Sequence, residues 1–288
     1  MEKPTIILAT SNGVGMGHLV RATAIATALK EYANPIIVSM AGGIAEIPDH
    51  LGIRCEYIPG KDRMWMSREK WDIYLRDRLL ALVDETNAKV LSFDGVVPYP
   101  GVIAAKNANP QLKLVWVRRG LWQKKPQRFI LGLQSKMMDK VIEPGDIARA
   151  YDFGPTAQRK DSVLTSPVSL FRKEDAMSRD DARRALGLDL NRPTALVQLG
   201  TGDSDVNEKV TAALSGLLGW KDLQVILTKA PVDKDGNSLA PAGLDLKVVR
   251  YFPLAKVLHA FDAGICATGY NGVHELLPAQ VPTVFVSN

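Results

Sequence analysis

Cysteine is nearly absent from this sequence: there are two in 288 residues, Cys55 and Cys266, far apart along the chain. That excludes a disulfide framework and a zinc knuckle, and makes a reduced, cytoplasmic setting the default expectation. Histidine is almost as scarce, with four residues and no clustering, so no dedicated metal site is expected. No apolar run approaches the roughly 20 residues of a membrane helix. The opening residues lack the apolar region and cleavage site of a signal peptide; Thr5-Ile-Ile-Leu-Ala9 reads as a first β-strand. Several catalytic signatures are also missing. There is no Gly-Lys-Ser/Thr phosphate loop and no G-x-S-x-G elbow, and His274-Glu275 lacks the second histidine of a zinc protease.

What remains is ordinary for a globular protein. Hydrophobic residues make up 46% and charged residues 23%, so a chain of this length can build two cores of usual size. The formal charge of +5 favours acidic partners mildly; on charge alone, nucleic acid, an anionic membrane face and a nucleotide diphosphate are all open. The densest basic stretch is Arg118-Arg119-Gly-Leu-Trp122-Gln-Lys124-Lys125, continuing to Arg128.

Short β-branched runs alternate with helical patterns, the mark of a parallel sheet with crossover helices. The first half predicts strands at Thr5–Thr10, Pro35–Ser39, Ile53–Ile58, Lys89–Phe93, Lys113–Val117 and Lys140–Ile142, with helices at His18–Glu31 and Ser67–Glu85. In the second helix Trp71, Tyr74, Leu75, Arg78 and Leu82 share one face by spacing. The pattern then restarts. A helix at Arg179–Leu186 precedes strands at Thr194–Leu199, Gln224–Thr228, Lys247–Arg250, Gly264–Ala267 and Thr283–Val286. The reading is therefore α/β, with two Rossmann-like domains covering residues 1–167 and 168–288 and joined near Ser166-Pro167-Val168.

The chemistry concentrates at turns that follow first and fourth strands. Asn12, Gly13, Gly15 and Gly17 form a loop between the first strand and its helix, where glycine lets the backbone approach a ligand and a helix N-terminus favours an anion. The spacing is not the dinucleotide fingerprint, and no acidic residue closes the second strand at Ser39-Met40, which weighs against NAD. His18 ends this loop. It reads either as a general base toward a hydroxyl or as a packing residue. Asp94 ends the fourth strand; in a 3-2-1-4-5 sheet it neighbours the first strand, so it can orient the imidazole, act as the base itself, or cap its own loop. In the second half, Gly200-Thr201-Gly202 follows the first strand, and Thr268-Gly269-Tyr270-Asn271-Gly272 follows the fourth and opens a helix. Glu275 in that helix can accept from two ribose hydroxyls, or simply complement the helix N-terminus.

These stretches carry a resemblance. The loop ending in Gly17-His18, the run Ala263–Glu275 with Val281-Pro282-Thr-Val-Phe after it, and Ser166-Pro167-Val168 resemble the bacterial N-acetylglucosaminyltransferase of peptidoglycan synthesis. More broadly, the chain resembles inverting GT-B glycosyltransferases. The resemblance implies a UDP-sugar bound by the second domain. Glu275 would hold the ribose, the Gly200–Gly202 loop and the Thr268–Gly269 turn with Tyr270 and Asn271 would contact the donor, and the Phe252 backbone would meet the uracil. It implies an acceptor, in cases lipid-linked, on the first domain, with Asn12, Gly13, Gly15, Gly17 and Arg21 in the acceptor or phosphate loop. No metal, cofactor or nucleic acid is implied. The sequence departs from the peptidoglycan enzyme at Ala267, where that enzyme has arginine, at Tyr270-Asn271, and at Arg21, where it has proline. The Gly-x-Gly-His-x-x-Arg form is similar to transferases of surface polysaccharide pathways and to a nucleotide-sugar hydrolase.

Two further expectations follow. Residues Arg118–Met138 interleave cations with Trp122, Phe129, Ile130, Leu131 and Leu133, which suits either an anionic lipid surface on the inner face of a membrane or an ordinary loop and helix. The run Val284-Phe285-Val286 wants cover on both faces, and a crossover helix to supply it is not in the sequence; the second domain is therefore expected to be incomplete.

Overall fold

The computed structural model describes residues 3–11, 16–41, 49–62, 64–122, 128–157, 159–200, 205–228 and 241–287. The chain divides into two compact units, with the main boundary between Val168 and Ser169.

The first unit runs β1 (Thr5–Thr10), α1 (Gly17–Leu29), β2 (Asn34–Ser39), β3 (Arg54–Tyr57), α2 (Arg68–Thr86), β4 (Val90–Asp94), α3 (Pro100–Ala108), β5 (Lys113–Val117), α4 (Arg128–Lys136), β6 (Lys140–Glu143) and β7 (Val163–Leu164). Its seven strands are all parallel, in the order β3-β2-β1-β4-β5-β6-β7. A parallel sheet is covered on both faces, so its central strands read as unbroken apolar runs. Ile7-Leu8-Ala9 and Ile36-Ile37-Val38 are buried throughout, as are Leu91, Phe93, Leu114 and Trp116.

Helix α2 is fixed at both ends. Ser67 accepts a hydrogen bond from the Lys70 N–H, and Asn87 closes the helix in the left-handed region at φ 51°. Its buried face is Trp71, Leu75, Leu79, Leu82 and Val83. The spacing argument placed Arg78 on this face; Leu79 takes the position and Arg78 is exposed, because a guanidinium there would lose its hydration in the apolar core. Helix α3 is not among the helices expected from the sequence. Pro100 in fact occupies the first turn, where its missing N–H is no loss. Gly101 lets α3 lie directly on α2: a Cβ there would stand 2.4 Å from the Asp72 carbonyl oxygen.

The second unit runs α5 (Arg179–Leu186), β8 (Thr194–Gln198), α6 (Val206–Gly216), β9 (Gln224–Thr228), β10 (Asp245–Val249), a 3-10 helix (Leu254–Ala260), β11 (Ala263–Ala267), α7 (Tyr270–Leu276) and β12 (Thr283–Val286). The strands are parallel in the order β10-β9-β8-β11-β12, which is 3-2-1-4-5 counted within the unit. Alternation along the strands splits the core between two faces. Ala195, Val197 and Leu199 pack with Val210 and Leu214 on one side, while Leu196 packs with Val257, Leu258 and Leu276 on the other. Helix α5 is capped by Ser178 and closed by Gly187 at φ 64°. It carries Arg183, fully buried, whose guanidinium donates to the carbonyls of Ala260 and Leu190 and to Asp262 at 2.8 Å. Asp262 also accepts from the Thr194 N–H, so this pair ties the beginnings of β8 and β11 to α5.

Among the described residues no helix is long and apolar enough to cross a membrane.

Candidate functional site

In an open parallel sheet the crevice lies at the carboxyl ends of the strands where strand order reverses. In the first unit that point falls between β1 and β4. Thr10 and Asp94 are paired in register as the last residues of those strands, and the Ser11 N–H donates to the Asp94 carbonyl at 2.7 Å. Helix α1 begins at Gly17, which sets His18 in its first turn and Arg21 on the same face one turn later.

The three side chains form one hydrogen-bonded group. His18 Nδ1 lies 2.7 Å from Asp94 Oδ1. Arg21 Nε donates to Asp94 Oδ2 at 2.7 Å, and Arg21 Nη2 donates to Oδ1 at 2.5 Å. Arg21 and Asp94 are each 3% exposed, whereas the His18 side chain keeps 24% of its surface. Burial opposes the charge on Asp94, but the Arg21 guanidinium and the hydrogen bonds from His18 and Arg21 outweigh it, holding the carboxyl below its usual range. An ionised carboxylate can only accept, so the proton of this contact resides on Nδ1 and the lone pair of a neutral ring is left at Nε2. Among the described residues Nε2 has no hydrogen-bond partner. A partly exposed imidazole with its lone pair free and its far nitrogen held by a carboxylate is equipped to take a proton from a hydroxyl.

In the second unit the reversal falls between β8 and β11, whose register pairs Gln198 with Cys266. Gly200 and Thr268 therefore lie level, each two residues beyond. Gly200 has φ +80°, a backbone that favours glycine, and nothing stands within 4 Å of where its Cβ would be. Gly269 is likewise open, and it precedes α7. Thr268 is exposed, but its N–H is taken by the Val286 carbonyl at 3.0 Å. Tyr270 is buried, with its ring 4.3 Å from that of His274, and the His274 Nδ1–H donates to the Tyr270 carbonyl at 2.7 Å. His274 is thereby a packing residue. Asn271 and Phe252 are partly buried. Glu275 is partly buried, and burial pushes its carboxyl up to about 7 against the opposing effect of the Leu170 N–H that donates to it.

Asn12, Gly13, Gly15, Thr201 and Gly202 lie outside the described residues. Gly17 opens α1. Arg21, expected in an anion-holding loop, has its guanidinium on Asp94; the three-residue step from His18 was the available signal, and it was read as a motif letter instead of a shared helix face. Arg118, in the stretch that suited either a lipid surface or an ordinary loop and helix, is fully buried between Asp161, Glu143 and Ser135. From the same stretch Leu131 is in the core and Leu133 is exposed. Among the described residues no group of three or more His, Cys, Asp or Glu side chains is placed to hold a metal ion.

No protein-family model matches the chain. It is similar to the UDP-N-acetylglucosamine–N-acetylmuramyl-(pentapeptide) pyrophosphoryl-undecaprenol N-acetylglucosamine transferase of Thermus thermophilus, 30% identical over 220 residues, covering 74% of this chain and 60% of that enzyme. The enzyme of the same name from Paenarthrobacter aurescens is 35% identical over 116 residues, 38% of this chain and 31% of its own length. The chain thus spans less than two thirds of these relatives. Among solved structures, Acinetobacter baumannii MurG superposes with a TM-score of 0.52 at 17% identity, covering 99% of this chain and 79% of that one. Phytolacca americana UGT2, complexed with UDP-2-fluoro-glucose and pterostilbene, gives 0.62 at 13% identity, covering 100% and 80%. The fold is that of the GT-B glycosyltransferases, with two parallel sheets of seven and five strands.

Proposed function

We propose, from a GT-B fold whose first unit carries His18 on Asp94, that this chain transfers a sugar from a UDP-linked donor to an acceptor hydroxyl in cell-envelope polysaccharide or glycolipid synthesis. The observation that carries the reading is the 2.7 Å contact between His18 Nδ1 and Asp94 at the carboxyl edge of the sheet. His18 Nε2 takes the proton of the acceptor hydroxyl as its oxygen attacks the anomeric carbon. The bond from that carbon to the diphosphate oxygen breaks, UDP leaves with the electron pair, and the ring later returns its proton to solvent. A single displacement of this kind inverts the anomeric centre. Asp94 fixes the imidazole tautomer and does not itself take the proton.

The second unit supplies the donor site. Open backbone at Gly200 and Gly269 suits close approach of a diphosphate, and backbone N–H groups there can take up the charge of the leaving group without a metal ion. Glu275 holds the ribose through its two hydroxyls. By the same reasoning the acceptor belongs to the first unit, and the names of the relatives make a lipid-linked pyrophosphate a reasonable first acceptor to try.

The test is a screen of UDP-sugars with and without candidate acceptors, following UDP release and product mass together. Release that depends on acceptor, with the sugar recovered on it, is the expected result. Release of free sugar at the same rate without acceptor would assign hydrolysis on the same residues. No release from any nucleotide sugar would refute the reading.

A further inference from the structure

We propose that Trp116 is a positioning residue of this site: from the far face of the sheet, its indole N–H holds the segment of chain that presents Asp94 to His18. The inference deepens the transferase reading and rests on it for its consequence in turnover, although its first test needs no substrate.

The first sheet lies between Trp116 and His18. Phe93 and Trp116 are neighbours in register across β4 and β5, and both belong to the core formed with Leu75 of α2 and Val102 of α3. Side chains alternate along a strand, so Asp94 turns to the opposite face, where α1 brings His18 and Arg21 onto it. Asp94 is also the last residue of β4, level with Thr10 and Val117. A strand end is open to fraying, because the ladder stops there. Two hydrogen bonds continue the hold. The Ser11 N–H donates to the Asp94 carbonyl at 2.7 Å, and the Trp116 Nε1–H donates to the Gly95 carbonyl at 2.9 Å.

Gly95 makes the second of these bonds matter. A Cβ there would stand 2.6 Å from Phe93 Cε1 and 2.7 Å from Ser11 Cβ, so the chain leaves β4 through a slot that admits only glycine. Glycine brings no side chain to anchor its peptide and leaves the backbone its widest freedom. The indole restricts it instead. Trp116 is itself tightly enclosed, with none of its surface exposed and the Arg118 guanidinium 5.4 Å from its ring centroid. Loss of the N–H would leave the buried Gly95 carbonyl without its indole donor, and the peptide would turn toward another, carrying the Asp94 side chain with it.

The experiment compares the full chain with two variants: Trp116→Phe, and benzothienylalanine at position 116, which keeps the shape of the indole and replaces its N–H by sulfur. The second separates the hydrogen bond from packing and keeps the test decisive if the first fails to fold. Amide hydrogen exchange is read first. In both variants the Ser11 N–H is expected to exchange about tenfold faster relative to the mid-strand Leu91 N–H, the mark of local opening. Relative exchange at Ser11 unaltered in the benzothienylalanine variant would overturn the proposal. In the transfer assay kcat should fall by roughly 10–10², the range for a displaced catalytic geometry, with KM for the donor and Kd for UDP unaltered. In an Asp94→Asn background the same substitution should cost little more, because the two residues act through one contact. An equal fall in that background, or turnover unchanged despite faster exchange, would overturn the positioning role. A chain without any transfer activity would refute the transferase reading, and the exchange result would still decide the hold on Asp94.

Discussion

The two units share one strand order over their first five strands and furnish its edge with different side chains. Each has its order reversal between its first and fourth strands, at β1/β4 and at β8/β11. At the first, three ionisable side chains are packed into a buried hydrogen-bonded group with one imidazole nitrogen left over. At the second, Gly200 and Gly269 leave open space, and the helix that follows Gly269 carries the partly buried Glu275. Parallel sheets of one order supply an edge, and the residues that follow the strands decide what that edge carries.

The contrast extends to two buried arginines. Arg21 sits at the carboxyl edge on a single carboxylate. Arg183 sits at the amino edge of the other sheet, divided among backbone carbonyls and Asp262. One belongs to the site and the other holds strands together.

These contrasts can be broken by mutation, and the largest effect is expected at His18. His18→Ala should lower kcat by roughly 10²–10⁴, the usual worth of a general base. Unaltered turnover would remove histidine from the mechanism. Next comes Arg183→Met, which should destabilise the chain by about 2–3 kcal/mol, less than a fully buried pair costs because Asp262 keeps some solvent contact. Denaturant unfolding measures this, and UDP affinity of the folded variant should be unchanged; a drop in affinity with stability intact would make Arg183 a ligand residue.

At Glu275 the expected effect is a loss of about 1.5–3 kcal/mol in UDP binding on substitution by alanine, the range for hydrogen bonds to a charged group. Deoxyuridine diphosphate should lose much less. Equal losses would assign the carboxylate to the helix instead of the ligand. The smallest effect is on pH dependence. The folded carboxyl of Glu275 titrates near 7, above its ordinary 4.5. Across that window the folded chain holds a proton the unfolded chain has already released, so this group's contribution makes stability fall as pH rises. Glu275→Gln should flatten that part of the slope. Uridine, which has no titrating phosphate, should bind the wild type more tightly as the carboxylate forms. A slope identical in wild type and Glu275→Gln would mean the group is not perturbed.

Much of this was legible in the sequence because parallel strands and crossover helices leave strong periodic signals. Unbroken apolar runs such as Ile36-Ile37-Val38 have no other use in a short segment. The end of α5 followed from Gly187, since a C-cap is local chemistry. The pairing of Asp94 with His18 followed from strand order, which a two-residue register argument can carry. What failed to show depended on contacts distant in sequence. Helix α3, nine residues long with proline in its first turn, was not among the expected helices. Arg21 was placed in a phosphate loop and Arg118 in a stretch open to a lipid surface, because their carboxylate partners lie 73 and 43 residues away. Leu79 was passed over for Arg78 because spacing alone does not say which neighbour turns inward.

One crossed measurement tests the proposed division of labour between the units most directly: kcat for transfer and calorimetric Kd for UDP, in His18→Ala and Glu275→Ala alongside the wild type. The expected result is that His18→Ala loses turnover with its Kd for UDP unchanged, while Glu275→Ala loses UDP affinity and recovers much of its turnover at saturating donor. Loss of UDP affinity in His18→Ala, or unchanged affinity in Glu275→Ala, would contradict it.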